Sequence, residues 1–558
     1  MSYFLKKGGA MAAETHSEQP EFENRVIQHV GLISGICDES GLVELIDERV
    51  HQPRRVVSVG QSVKAMILNA LGFSGRALYL TPRFYKNRPV DVLVGDGLTA
   101  EHLNDASLGT ALDALYETGV TELFFSVSQQ ILKRYGIQTR FAHLDSTTFS
   151  LHGEYNSEWD PEKVPEGVIH ITKGFSKDHA PELNQVVLQL ICAHKSSMPM
   201  WIETLSGNTS DKKSFSETVK SFQKQFRTDT MPCMVMDSAF YTQKNIIECC
   251  DIHWVTRVPE TIQEVRTHYA TLDIDQMQER GNGYRTTSVR STYGGVSQRW
   301  LLVYSARAYE REIKTFERNL TKRRDRNEKD LKHLRNTPFA CEADASTAAE
   351  KFSQKLRYQV LEYTVVSKKR FIGKGRPSKG AIPEAVEWFI EGRLRDDQQQ
   401  IEQARQRKGR FVLATNELEE TVLSDAQLLE VYKDQGVTVE RGFRFLKDPL
   451  FYAESLYLKK PERIMALLMV MTLSLLMYSL AEMRIREALA QSGRHIWNQK
   501  NKPTSKPTIR WIFMIFEDIL LLYQRTGETV HRRVMNIEEE HRIVLECLGP
   551  RYEKIYFL

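Results

Sequence analysis

The stretch that most constrains the fold is Arg140 to Tyr155, RFAHLDSTTFSLHGEY, in which residues alternate up to an acid and keep alternating past it. Phe141, His143 and Asp145 share one face of a strand, with Ala142 and Leu144 on the other, so the Asp145 carboxylate is expected near the end of a half-buried strand. Thr147, Phe149 and Leu151 carry the period of two onward and predict a second strand that turns back beside the first. Charge beside a sheet core is costly unless a cation or strong hydrogen-bond donors meet it, and a metal ion is one such partner. From these residues alone, an aspartate capping the Ser-Thr-Thr turn is the alternative.

A second acid follows the same logic. Val186 to Ala193, VVLQLICA, is an apolar run typical of a central strand, and Pro199 to Thr204 reads as its neighbour. Asp211 to Phe226 predicts a helix capped by its aspartate. Met231 to Asp237, MPCMVMD, is another buried strand that ends on an acid, followed by a helix over Ser238 to Cys250 and a strand over Ile252 to Val258. Neighbouring strand ends are close in space, so Asp145 and Asp237 are expected to share a site.

At 558 residues the chain is long enough for several cores. We divide it into a disordered tail (1–25), a helical N-terminal domain for DNA binding or dimerisation (26–137) and an α/β core in two parts (138–259 and 423–490). An insertion domain with basic segments (260–422) separates these parts, and a helical C-terminal region (491–558) follows. Val63, Met66, Ile67, Ala70 and Leu71 recur at helical spacing before Gly72, as do Leu108, Leu112, Leu115 and Tyr116 after Asn104 and Asp105. Hydrophobic content of 41% with 27% charged residues is that of a soluble globular protein. A formal charge of +4 is too small to identify a partner, so the placement of charge matters more. Within the insertion, Lys368 to Gly380, KKRFIGKGRPSKG, holds six basic residues and no acid; Lys374 and Arg376 are its candidates for a phosphate-tracking loop, against a plain solvated linker.

Seven cysteines show no CxxC pair or zinc-like spacing and read as reduced thiols of a cytosolic protein. The first residues lack the apolar core of a signal peptide. Ile464 to Leu480 is an uncharged run at the short limit for spanning a bilayer, with charges of both signs at its flanks; a buried helix is the expectation, and no membrane partner.

The third acidic candidate lies in Val431 to Pro449, VYKDQGVTVERGFRFLKDP. Tyr432, Glu440, Arg444 and Lys447 are expected on one helix, the last three on one face, with Val439, Phe443 and Leu446 packing it onto the sheet. A surface ladder of ion pairs is the simpler reading of such a row. Taken with Asp145 and Asp237, however, Glu440 completes a set of three carboxylates able to hold two divalent ions, and Mg²⁺ suits an open site with few carboxylates.

The four segments HLDSTTFSLHGEY, GFSKDHAPELNQVVLQL with SGNTSD, MDSAFYTQKNI and YKDQGVTVERGFRFLKDP together resemble insertion-sequence transposases of the DDE superfamily, in the insertion-sequence-4-like branch. The resemblance covers most of the chain. It implies a multidomain α/β fold: a ribonuclease H-like mixed sheet with flanking helices, a strand-rich insertion domain and a helical N-terminal domain. It implies Asp145, Asp237 and Glu440 as the catalytic, metal-binding triad, with two Mg²⁺ ions for which Mn²⁺ substitutes. The 202 residues between Asp237 and Glu440 would hold the branch's insertion. Tyr432, Glu440 and Lys447 match a Tyr-Arg-Glu-Lys signature of the branch. Its arginine position is occupied by Gln435, and the glutamate comes one residue late, so Arg441 or Arg444 would have to supply the phosphate contact. Ala180 stands where relatives commonly carry a basic residue. In related transposases an aromatic of the insertion holds a flipped base, for which Trp254 and Trp300 are the candidates.

The function implied is binding of terminal inverted repeats, metal-dependent cleavage of the element's ends and joining of the 3′ ends to target DNA. The partners are double-stranded DNA and further copies of the chain in a dimer or higher oligomer, in the cytoplasm on the nucleoid. A non-transposing DNA-binding protein and a metal-dependent nuclease of the same fold are the alternatives.

Overall fold

The alternation at 141–151 forms one uninterrupted strand, β1 (Phe141–Leu151), with no turn inside it. Thr147 and Thr148 are β-branched and almost wholly buried, so the segment continues the pleat where a turn was expected. Its partner is instead β2 (Asn184–Ala193), antiparallel, with Asp145 opposite Leu190. The third strand, β3 (Pro199–Ser206), pairs antiparallel with β2, and β4 (Cys233–Met236) runs parallel to β1 on its other side. Three antiparallel strands with the fourth parallel to the first make the ribonuclease H-like arrangement.

The computed structural model describes residues 21–52, 55–73, 78–155, 167–178, 180–226, 231–371, 379, 382–448, 458–526 and 529–557. The chain divides into two units, Met1–His253 with Glu430–Leu558, and Trp254–Leu429. The first unit contains β1 to β4 together with the helices expected at 26–137, so those helices do not stand apart as a domain.

The centre of the first unit is the helix Pro461–Ser492, which holds the uncharged run. It is long and apolar enough to cross a membrane, and most of its apolar window is buried. Helices Val30–Ser40, Val59–Leu71, Asp105–Thr118 and Val120–Arg134 pack around it, as does β3. Each fully buried leucine contributes roughly 1.5–3 kcal/mol of transfer free energy, which makes this helix the main apolar core of the unit. Its hydroxyls Thr472 and Ser474 donate to carbonyls one turn back and so leave no unmet donor. Near its end the buried Glu482 accepts from Arg441 and from the Ile509 amide.

Two expectations at the ends are corrected. Glu21 to Val26 is a strand rather than disordered tail, because it pairs antiparallel with Leu520–Thr526 from the far end of the chain. That strand pairs in turn with Thr529–Met535, so the C-terminal region is mixed rather than helical.

The second unit carries strands β5 (Trp254–Val258), β6 (Gln278–Gly281), β7 (Tyr284–Tyr293) and β8 (Val296–Ser305), then a long hairpin of β9 (Gln359–Arg370) and β10 (Ala385–Asp396), and lastly β11 (Arg410–Thr415). The order β5-β11-β8-β7-β6 is antiparallel throughout. The hairpin has its own small core, where Leu331, Ala345, Ala349, Leu361 and Ile390 join it to the 31-residue helix Ala306–Asn336 and the helix Glu342–Lys355.

Candidate active site

Asp145 lies in the middle of β1 rather than at its end, yet it sits where the sheet opens. Leu144 and Met236 are the last register partners of the parallel β1 and β4, so Asp145 and Asp237 are the next residue on each strand. Past that point β1 continues without β4 beside it. Burial pushes the Asp145 carboxyl up to about 7 and also raises that of Asp237. The Asp145 carboxylate accepts from the Ser146 amide at 2.7 Å, and that of Asp237 from the Ala239 amide at 2.8 Å.

Two residues that the sequence did not assign to the site complete this cluster: Lys177, and Asp211, expected only as a helix cap although Ser210 takes that position. Asp211 begins the helix Asp211–Gln223 and accepts from the Ser146 hydroxyl at 2.6 Å. Lys177, from the GFSKDH segment, places its ammonium 2.9 Å from Asp211 and 4.0 Å from Asp145, and donates to the Ser146 carbonyl at 2.7 Å. Two carboxylates thus share one ammonium, whose charge also acts at a distance on Asp237.

Glycines explain how those segments meet. A Cβ on Gly174 would lie 2.1 Å from the Gly207 carbonyl oxygen, and one on Gly207 would lie 2.1 Å from that of Gln185. Only backbone without side chains fits there, so the glycines of GFSKDH and SGNTSD bring Lys177 and Asp211 to β1.

The third acid stands elsewhere. Glu440 is exposed on the helix Gln435–Leu446, which packs on β1 and β2. Its carboxylate oxygen is 3.3 Å from the position a Cβ on Gly436 would take, so the side chain lies back along its own helix. Among the described residues no three His, Cys, Asp or Glu side chains form a group able to hold a metal ion. The structure therefore brings Asp145 and Asp237 together and leaves Glu440 outside their cluster.

Tyr432 belongs to a separate preceding helix, Asp425–Lys433, because the chain breaks at Asp434. Lys447 caps the later helix; its ammonium is 2.6 Å from Asp178 and lies over the Phe149 ring of β1. Of the two arginines that could replace the missing one, Arg441 is engaged by the buried Glu482 at 2.9 Å, whereas Arg444 is exposed.

Trp254 and Trp300 are both fully buried in strands, so neither presents an indole face on which a base could stack. Both stand in continuously buried stretches of strand, the setting of core residues, which corrects the expectation that either holds a flipped base. Lys374 and Arg376 lie outside the described residues. In the flanking strands, Lys368 pairs with Glu391, and Arg370 with Glu384 and Glu387.

Asp145 and Asp237 suit a divalent cation: both offer hard oxygen donors, both are held against burial, and the negative charge around them exceeds what Lys177 supplies. The chain belongs to the transposase DDE domain family, whose match spans residues 138–477. A family described as a domain of unknown function (DUF4277) matches residues 22–129. No curated protein matches the chain. A solved structure described as the piggyBac transposase synaptic complex with hairpin DNA is similar at 11% identity, over 89% of this chain and 82% of that one, with a TM-score of 0.35.

Proposed function

We propose that this chain is the transposase of an insertion sequence of the insertion-sequence-4-like branch. It binds the terminal inverted repeats, cleaves the ends by metal-dependent phosphodiester hydrolysis and joins the 3′ ends to target DNA. The observation that carries this reading is the pair of half-buried acids, Asp145 and Asp237, each one step past the last register partners of two parallel strands and inside the segment that matches the family. Asp145, Asp237 and Glu440 hold the divalent ions, Mg²⁺ or in its place Mn²⁺. Bound there, two such ions stabilise the entering and leaving oxygens of an in-line displacement at phosphorus.

The protein's own share is positioning. The sheet fixes two carboxylates, and the helix Gln435–Leu446 brings the third when its exposed side chain swings from Gly436 toward β1. Lys447, Tyr432 and Arg444 fix the terminal phosphates, Arg444 in the place of the arginine that the signature lacks. Synapsis of two ends calls for a dimer or higher oligomer on double-stranded DNA, and the protein acts in the cytoplasm, on the nucleoid.

The test is a cleavage and strand-transfer assay with end-sequence DNA and Mg²⁺ or Mn²⁺. Asp145→Ala, Asp237→Ala and Glu440→Ala are each expected to abolish both products while DNA binding persists. Cleavage that survives Asp237→Ala overturns the assignment, and cleavage without any strand-transfer product converts the enzyme into a nuclease.

A further inference from the structure

The 31-residue helix Ala306–Asn336 is the most basic element described, and its charges are not distributed evenly in their pairing. Arg324 pairs with Asp396, and the helix's own Glu317 with Arg405. A different stripe, Arg311, Thr315, Asn319, Lys322 and Arg326, recurs at steps of three and four and so lies along one side. That side borders two adjoining cavities of about 500 and 560 Å³, which share Asn319 and Arg323. Lys355 and Arg357, from the end of the helix Glu342–Lys355 and the turn after it, close the opposite side.

Arg311, Lys322, Arg323, Arg326, Lys355 and Arg357 therefore line one continuous groove, and among the described residues none of the six pairs with a carboxylate. Two acids line it. Glu312 accepts from the Gly409 amide at 3.2 Å, and with Lys408, which also lines the groove, two carboxylates face seven cations. The floor is aromatic: Phe316 and Tyr358 meet edge to face at 5.5 Å, with Lys408 over the first ring and Arg357 over the second.

Unpaired cations in a row repel one another, so such a row is stabilised by a polyanion rather than by the protein itself. The stripe from Arg311 to Arg326 spans roughly 22 Å at 1.5 Å per residue. Duplex DNA presents one phosphate charge per about 1.7 Å of its axis, so a groove of this length meets several phosphates at once. Guanidinium groups match phosphate oxygens bidentately and remain charged at any working pH.

We propose that this groove of the second unit is a binding site for the phosphodiester backbone of duplex DNA, independent of base sequence. It adds affinity that the acidic site does not provide, and it rests on the reading of the chain as a DNA-acting transposase.

Fluorescence anisotropy of the full chain with a labelled duplex of arbitrary sequence, titrated across salt concentrations, tests this. Each phosphate neutralised contributes about 0.9 to the slope of log affinity against log salt. The triple variant Arg311→Gln, Arg323→Gln, Arg326→Gln is expected to flatten that slope by about 2.7. Between about 50 and 200 mM salt, the wild type then loses some 40-fold more affinity than the variant does. The matching triple substitution to lysine keeps the slope, because charge and not a guanidinium-dependent fold carries it. A glutamine variant that melts like the wild type and keeps its slope overturns the proposal, as does a lysine variant that flattens like glutamine. A wild type that binds no duplex at low salt sinks the transposase reading itself, which separates the two failures.

Discussion

Asp237 stands beside Asp145, one step past the last paired residues of two parallel strands, with both carboxyls raised by burial. Charge held at that cost serves a bound cation better than it serves the empty fold. We therefore expect Asp145→Asn to stabilise the protein in EDTA by on the order of 1 to 2 kcal/mol, since the amide oxygen still accepts from Ser146 without the buried charge. The same variant is expected to lose most of the rise in melting temperature that Mn²⁺ gives the wild type. Thermal melts in EDTA and in Mn²⁺ check both; a variant that melts lower than the wild type in EDTA shows that Lys177 already satisfies the carboxylate.

The contact between Gly174 and Gly207 gives a second expectation. Gly207→Ala places a methyl 2.1 Å from the Gln185 carbonyl oxygen and 2.3 Å from that of Thr172, far inside van der Waals contact, and neither oxygen sits on a flexible side chain. Relieving this clash displaces the segment that carries Lys177 and costs roughly 1–3 kcal/mol. Melting temperature reads the cost, and faster proteolysis near residues 170–178 reads the displacement. An unchanged melt and cleavage pattern contradicts the account of how the two motifs meet.

The neighbouring placement of Asp145 and Asp237 was legible in the sequence because these two acids end or interrupt strongly patterned strands, and the core helix because 17 residues pass without a charge. What the pattern could not show is pairing across long separations. Lys177 and Asp211 lie in loops and at a helix start whose meeting depends on two glycines, and a lone Gly in each motif carries no sign of its partner. The strand Glu21–Val26 resembles a tail until its partner near residue 520 is known. The period at 141–151 identifies strand, but the Ser-Thr-Thr composition suggests a turn that tertiary pairing with β2 overrides. Tyr432 stands on a different helix from Glu440, and helical spacing does not reveal a one-residue break such as that at Asp434.

His29 supplies the pH expectation. Its ring is buried, stacks on Phe513 at 4.3 Å and donates from Nε2 to the Leu71 carbonyl, and burial lowers its pKa from 6.5 to about 4. The unfolded chain therefore takes up a proton that the folded chain refuses. Stability is fully present above pH 6.5 and falls as pH drops toward 4, by up to about 3 kcal/mol. His29→Phe keeps the stacked ring and removes the titration. Its melting temperature is expected to be lower at pH 8, through the lost hydrogen bond, and to fall less between pH 6.5 and 4.5. An identical acid slope in the two proteins assigns the loss to other groups.

The last expectation concerns Lys447, whose ammonium is held by both oxygens of Asp178 at 2.6 and 2.7 Å. Under the proposed role of Lys447 a terminal phosphate would take the same ammonium, and the Asp178 carboxylate would then compete with it in the free protein. Both side chains are partly exposed, and an ion pair of this kind is worth about 0.2–1 kcal/mol. Asp178→Asn is therefore expected to tighten binding of end-sequence DNA by up to about fivefold and to steepen its salt dependence by roughly one phosphate. Lys447→Ala weakens binding, and in that background Asp178→Asn is expected to change nothing, because the ammonium it would free is gone. The double-mutant cycle isolates this coupling from any general effect of removing a negative charge near DNA. If Asp178→Asn tightens binding equally with and without Lys447, then the gain is long-range electrostatics and Lys447 is not the residue that meets the phosphate.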